Sequence, residues 1–244
     1  SHFVLRHIKN HPEDTIVVLD KLTYAADKSL LDPIAEQITF VEGDIADQDL
    51  MTKLVEDHSI DTIINFAAES HVDNSINNPG VFIETNVTGT FTLLDVAYRF
   101  WMEAPFSYKA DFAHACFHQI STDEVYGSLG ATGSFTEASP YAPNSPYSAS
   151  KASADMLVRS YNHTYGLNTV ITNCSNNYGP KQHTEKLIPT IIRKALAGET
   201  IPIYGDGQNV RDWLYVLDHC KAVDLVFEHG RAGEIYCIGG DAEW

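Results

Sequence analysis

Tyr147 and Lys151 stand four residues apart in Tyr147-Ser148-Ala149-Ser150-Lys151. On a helix that spacing puts both side chains on one face, about one turn apart. A tyrosine hydroxyl is a poor base at neutral pH, and a cation held beside it favours the phenolate. Such a pair can move a proton on and off a sugar hydroxyl. The spacing alone is weak evidence, since a surface pair shows it too. Here it follows a loop with Pro140, Pro143 and Pro146, and that loop follows Ile120-Ser121-Thr122-Asp123-Glu124-Val125-Tyr126-Gly127.

This second segment runs from an apolar strand into hydroxyls and two adjacent carboxyls. One reading is a helix N-cap, because Asp and Glu are favourable near a helix amino end. The other is a hydroxyl that orients a substrate beside an acid and a base of similar chemistry. Two carboxyls in one pocket repel, and unequal burial can leave one protonated and one ionised. That division suits an elimination, in which one removes a proton and the other protonates a leaving hydroxyl. Two further acids end apolar runs: Asp20 after Ile16–Leu19, and Asp44 after Phe40–Gly43. Asp20 is placed to bond the hydroxyls of an adenosine ribose, and Asp44 to lie near an adenine edge. Taken singly, each also reads as a surface-loop Asp.

Alternating elements must position these groups. Residues 1–9 read as a helix with Phe3, Val4 and Ile8 on one side. Residues 16–20 read as a parallel strand buried on both faces, being short, apolar and β-branched. Strands are expected again at 39–44, 61–66, 117–121 and 168–174, and helices at 49–57, 86–101 and 148–165. Alternation of this kind predicts an α/β fold with a doubly wound parallel sheet, in which ligands bind beyond the carboxyl ends of the strands. After Gly179 the pattern breaks at Pro180, Pro189, Pro202 and a glycine-rich stretch at 204–207. The division expected is therefore 1–179 for a nucleotide-binding domain and 180–244 for part of a smaller mixed lobe over the ligand.

Composition narrows the partners. The 244 residues carry 16 Lys and Arg against 33 Asp and Glu, a net charge of −17. That balance argues against nucleic acid and anionic membrane, which need a basic face. A hydrophobic share of 44% is ample for a packed core. No apolar run approaches the roughly 18 residues of a membrane span, and no signal peptide is evident. Cys116, Cys174, Cys220 and Cys237 lack metal-site spacing and read as small buried thiols, so no metal is expected and a reducing cytoplasm fits. Tyr98, Phe100, Trp101, Met156, Leu157 and Tyr161 give the helices at 86–101 and 148–165 more apolar surface than one sheet face covers. A homodimer through those helices is the expectation.

The motifs occur in one order: Leu19-Asp20-Lys21-Leu22-Thr23-Tyr24-Ala25, Gly43-Asp44-Ile45, Ala67-Ala68-Glu69-Ser70-His71-Val72-Asp73, the Ser121–Gly127 segment, Tyr147–Lys151 and Arg211-Asp212-Trp213-Leu214-Tyr215-Val216. Together they resemble the dTDP-glucose 4,6-dehydratases of the extended short-chain dehydrogenase/reductase superfamily, along essentially the whole chain. The Thr-Asp-Glu triplet is the specific part of the resemblance.

The resemblance implies a Rossmann-like domain that holds NAD tightly and regenerates it at each turnover. Tyr147, supported by Lys151, would take the proton of the sugar 4-hydroxyl while hydride leaves C4. Glu124 would then remove the C5 proton, Asp123 would protonate the departing 6-hydroxyl, and Thr122 would orient the 4-hydroxyl. Cofactor contacts would include Asp20, Lys21, Leu22, Thr23, Asp44, Ile45, Phe66, Ala67, Ala68, Glu69, Thr85, Tyr147, Lys151 and Asn177. The nucleotide-sugar substrate would meet Ser70, Thr122, Asn176, Lys186, Leu187, Pro202, Ile203, Tyr204 and Arg211. A guanidinium at Arg211 matches phosphate oxygens bidentately, although Arg211-Asp212 also reads as a surface ion pair. The superfamily's amino-terminal strand and Gly-rich turn are missing before Ser1, and the family continues past Trp244, so a portion of a longer protein is expected. A sugar-nucleotide 4-epimerase or decarboxylase needs Tyr and Lys but has no use for the Asp-Glu pair. A non-catalytic binding module is the remaining alternative, and a buried acidic pair argues against it.

Overall fold

Short β-branched runs become parallel strands here because helices cover their faces. A computed structural model describes residues 1–130, 132–203 and 206–244. In chain order the elements are α1 (His2–Asn10), β1 (Ile16–Asp20), β2 (Ile38–Glu42), α2 (Gln48–His58), β3 (Thr62–Asn65), α3 (Val72–Asn77), α4 (Pro79–Phe82), α5 (Thr90–Trp101), β4 (Met102–Ala104), β5 (Ser107–Tyr108), β6 (Cys116–Thr122), α6 (Pro146–Tyr165), β7 (Thr169–Cys174), β8 (Asn176–Tyr178), α7 (Leu187–Ala197), β9 (Trp213–Tyr215), α8 (Val216–His229) and β10 (Ile235–Ile238). Strands β10, β7, β6 and β3 form one parallel sheet in that order, and β1 and β2 form a separate parallel pair. Leu93, Leu94, Ala97, Trp101, Phe117 and Val158 fill one face of the main sheet. Phe3, Ile120, Cys220 and Val223 fill the other, where α1 meets α8. Two covered faces make the doubly wound arrangement that the alternation predicts.

Three expectations need correction. The strand at 16–20 is half-buried rather than buried, since its two-stranded piece is less covered than β6. The helix expected at 86–101 begins at Pro79, and residues Ile83–Gly89 within that passage form a π-helix. The boundary at 179 cuts across the main sheet, because β10 pairs in parallel with β7 and α8 packs on α1. The apolar run of β10 and the apolar stripe of α8 are long-range partners of the first half. A 3₁₀ helix at Lys28–Gln37, capped by the Asp27 side chain on Ser29 N–H, lies in a stretch without helical periodicity.

Local chemistry fixes the helix that carries Tyr147. Ser145 caps α6 by accepting from Ser148 N–H at 3.0 Å, and the Ser148 side chain accepts from Ser145 N–H at 3.0 Å. Pro146 occupies the first turn, where its missing N–H costs nothing. Gly166 ends the helix at φ 72°. The loop after β3 is pinned from afar. Asn86 is 1% exposed, accepts from Glu69 N–H at 2.9 Å, and donates to Glu69 C=O at 3.0 Å and to Ser150 Oγ at 2.8 Å.

Asn86→Ala strips partners from three polar groups around that loop. An unsatisfied buried group costs about 1–3 kcal/mol; the two Glu69 groups are only part-buried and Ser150 Oγ keeps its bond to the Tyr147 carbonyl, so unfolding free energy should fall by about 2–3 kcal/mol overall. Urea denaturation followed by fluorescence measures it. A loss within about 0.5 kcal/mol, typical of a surface substitution, would contradict the assignment.

Candidate functional site

The carboxyl end of β6 delivers Thr122, Asp123 and Glu124 into a single 3₁₀ turn, Asp123–Tyr126. Thr122 caps that turn, with its Oγ1 accepting from Glu124 N–H at 3.3 Å. The segment is a capped turn that also sets a hydroxyl beside two carboxyls. Asn173 on β7 donates to the Thr122 carbonyl at 3.1 Å. Gly127 closes the turn at φ 90°, where a Cβ would lie 2.4 Å from the Ala142 carbonyl oxygen. That approach, with Ala142 N–H donating to Val125 C=O at 2.9 Å, holds the loop before α6 against the triplet.

Tyr147 and Lys151 are both buried, at 9% and 3% exposure. Thr122 stands within hydrogen-bonding reach of the Tyr147 hydroxyl. The expected contact between Tyr147 and Lys151 is not made: among the described residues no hydrogen bond joins them, and the Lys151 ammonium donates to the Ile120 carbonyl at 2.7 Å. Burial, followed by the neighbouring Glu124 carboxylate, pushes the Tyr147 phenol up rather than down. Burial pushes the Lys151 ammonium down, opposed by Asp155.

The two carboxyls sit in unequal surroundings. Burial raises both Asp123 and Glu124 above the ordinary carboxylate range. Arg211 acts on both, Lys186 also faces Glu124, and Asp212 faces Asp123. The second cation favours charge on Glu124, and the anion favours a proton on Asp123. A pair so placed can divide base and acid roles.

Of the remaining predicted residues, several gather at the strand ends. Lys186 donates to the Ser70 carbonyl at 3.0 Å, joining the segment after β8 to the loop after β3. Arg211 is exposed, and its guanidinium is not paired with Asp212, which instead accepts from Gly240 and Ala242 N–H. Asn176 and Asn177 lie on β8, and Asn177 donates to Ser175 C=O at 3.1 Å. Thr85 lies in the π-helix. Leu187, Pro202 and Ile203 are exposed, and Tyr204 lies outside the described residues. Ile45 is a core residue, packed among Met51, Val55 and Leu93, so only its backbone is free for a ligand.

A second group lines the edge near α1. Asp20 is exposed, and its Oδ1 accepts from Leu22 N–H at 2.8 Å, drawing Leu22 to φ 51°. Thr23 caps the following turn through its carbonyl to Ala26 N–H. Lys21 forms an ion pair with Asp44. Phe66 is 45% exposed, leans on Phe3 of α1 at 5.2 Å between ring centroids, and leads into Ala67, Ala68 and Glu69. An exposed carboxylate, an exposed aromatic face and a helix amino end fit the ribose, the flat ring and the pyrophosphate of a dinucleotide.

Sequence reasoning missed the groups beneath Tyr147. Asp155, 1% exposed, accepts from Ser121 Oγ at 2.7 Å and from Tyr141 OH at 3.1 Å. Its spacing of four from Lys151 was the available signal. The expected dimer residues are also placed differently. Trp101 and Tyr161 are buried, and Tyr98, Phe100 and Leu157 pack on the same core, leaving Met156 exposed. Ile83 and Phe91 are exposed instead.

The family model described as GDP-mannose 4,6 dehydratase matches residues 1–243. A dTDP-glucose 4,6-dehydratase of Xanthomonas campestris pv. campestris is 55% identical over 93% of this chain, which spans 65% of that relative's length. A dTDP-glucose 4,6-dehydratase of Salmonella typhimurium is 49% identical over 98% of this chain and 69% of its own. The crystal structure of a dTDP-glucose 4,6-dehydratase from Streptomyces venezuelae, with NAD and TYD bound, superposes with a TM-score of 0.89 at 48% identity, covering 100% of this chain and 73% of that one. With the family model matched along nearly the whole chain, the chain belongs to the GDP-mannose 4,6 dehydratase family, alongside the dTDP-glucose 4,6-dehydratases.

Proposed function

We propose that this chain carries the catalytic core of an NAD-dependent dTDP-glucose 4,6-dehydratase, a hydro-lyase that forms a 4-keto-6-deoxy sugar nucleotide. The carrying observation is the Thr122-Asp123-Glu124 turn, packed beside the Tyr147 hydroxyl at the end of β6. The solved relative bound to NAD supports the cofactor. NAD, when bound, supplies the acceptor for the C4 hydride, which is later returned to C6.

Tyr147 takes the proton of the 4-hydroxyl, which Thr122 orients, while the Lys151 charge favours the phenolate. The 4-keto group then acidifies C5–H. Glu124 removes that proton, and Asp123 protonates the departing 6-hydroxyl. The cations at Lys186 and Arg211 favour an ionised Glu124, which is what a base requires. Ser70, Asn176, Lys186, Leu187, Pro202, Ile203 and Arg211 line the nucleotide side in this reading, with the described residues after β8 as the cover. Asp20, Lys21, Leu22, Thr23, Asp44, the backbone of Ile45, Phe66 to Glu69, Thr85 and Asn177 hold NAD. An epimerase has no role for the Asp123-Glu124 pair.

The oligomer in this reading is a homodimer. A groove of about 600 Å³ lined by Val87, Ala149, Ala152, Ser153, Met156 and Leu157 offers a second copy an apolar seat. No helix among the described residues is long and apolar enough to cross a membrane. The four cysteines are free, in keeping with a reducing cytoplasm.

Four outcomes test this reading. Incubation with dTDP-glucose should yield the 4-keto-6-deoxy product. Glu124→Gln should lower turnover by about 10²–10⁴ yet accumulate enzyme-bound NADH in a single-turnover absorbance trace, whereas Tyr147→Phe should show none. Equal absence of NADH in both variants would refute a late role for Glu124. NAD should bind tighter than NADP, because the Asp20 carboxylate repels a 2′-phosphate and Lys21 is engaged by Asp44; an NADP preference by calorimetry would refute it. Sedimentation should give a dimer that Met156→Glu weakens, and a monomer at micromolar concentration would exclude the interface.

A further inference from the structure

The Lys151 ammonium has lost most of its water, and the Ile120 carbonyl is its hydrogen-bond acceptor among the described residues. A carbonyl is a dipole, so it does not balance a buried charge. One helical turn on, Asp155 supplies a carboxylate on the same face of α6. Its own geometry is built from three elements: Ser121 of β6 donates to Oδ2 at 2.7 Å, Tyr141 of the preceding loop donates to the same oxygen at 3.1 Å, and Asn173 of β7 lies beside it. Donors on three sides favour the ionised form of a group that burial would otherwise neutralise.

We propose that Asp155 is a positioning residue: the buried counter-ion that keeps Lys151 charged beneath Tyr147. The proposal deepens the catalytic reading given above and rests on it for the role of Lys151. The acid acts through Lys151, having no contact with the phenol. The two are not joined within ion-pair distance, so the influence passes through a low-dielectric interior, where Coulomb attraction is strong.

The other groups facing this pair are few. The Cys174 thiol of β7 faces Lys151, and burial drives it up to about 12, so it brings no charge at neutral pH. The Tyr126 and Tyr141 phenols face Asp155 and are likewise pushed up by burial. Burial sets Asp155 at about 6, opposed first by Lys151 and then by its hydrogen-bond donors. A separate cavity of about 250 Å³, lined by Glu137, Tyr141, Asp155, Met156 and Arg159, reaches Asp155 from a side that Tyr147 and Lys151 do not line.

Lysine labelled with ¹³C at Cε in the NAD-loaded protein reads the charge of Lys151, with the resonance assigned by its loss in Lys151→Met. Asp155→Asn keeps the shape and removes the charge. The Lys151 ammonium should then lose its proton more readily, its ionisation constant rising about tenfold or more. Should that variant fail to fold, the native protein still decides: the Lys151 resonance should step at the titration of Asp155. An unchanged Lys151 titration in folded Asp155→Asn, or no step in the native protein, overturns the proposal. In single turnovers the acid limb of NADH formation should move to higher pH in Asp155→Asn, which a purely structural loss would not do. The resonances are read without substrate, so failure to form the 4-keto product would sink the catalytic reading and leave the Lys151 result standing.

Discussion

The Lys151 ammonium, donating to the Ile120 carbonyl, sets where α6 lies against β6. Everything chemical in the molecule is referred to that junction. Ile120 precedes Ser121 and the Thr122–Glu124 turn, and Lys151 follows Tyr147 by one helical turn, so fixing one pair of atoms fixes the phenol over the triplet. The strand can serve as an anchor because β6 is the most buried strand and pairs on both sides, with β3 and with β7. The anchor is expensive in electrostatic terms, since it leaves a cation far from water. Neighbouring acid on α6 and oriented dipoles offset that cost.

Charge is graded across the site. The phenol, two carboxyls and a thiol are all pushed towards their neutral forms by burial. Arg211 and Lys186, from the covering segment, are the cations that oppose this at the triplet. An overall charge of −17 therefore coexists with two basic side chains, Arg211 and Lys186, set against the acidic pair. Under the reading proposed above, a doubly negative diphosphate would meet those few residues, whatever the sign of the rest of the surface.

Local patterns in the sequence were informative wherever a single element decides the outcome. The four-residue spacing of Tyr147 and Lys151 put both on one buried helix face, and the polar triplet after an apolar strand did mark a strand-end turn. Spacing could not show that Lys151 turns to a carbonyl 31 residues away rather than to Tyr147. Asp155 illustrates the same limit: within Ala154-Asp155-Met156 it looks like a residue of the solvent face, and its burial depends on Ser121 and Tyr141, which are distant in sequence. The return of β10 to the main sheet was hidden by the prolines and glycines of the intervening cover. Apolar residues on α5 and α6 were read as surplus because their burial against each other is a tertiary fact.

The π-helix at Ile83–Gly89 has a consequence for how this chain tolerates change. A wider turn spends one extra residue per turn, so side chains after it are rotated about 100° relative to those of an uninterrupted helix. Before and within that turn the helix serves the loop after β3, through Asn86; beyond it the same rod presents Leu93, Leu94 and Ala97 to the core. The extra residue acts as a phase shifter between two duties. Deleting one residue there would preserve an unbroken helix and every residue type around it. It would also swing either the Asn86 amide away from its loop or the leucines away from the sheet, because one rod cannot keep both phases without the wide turn.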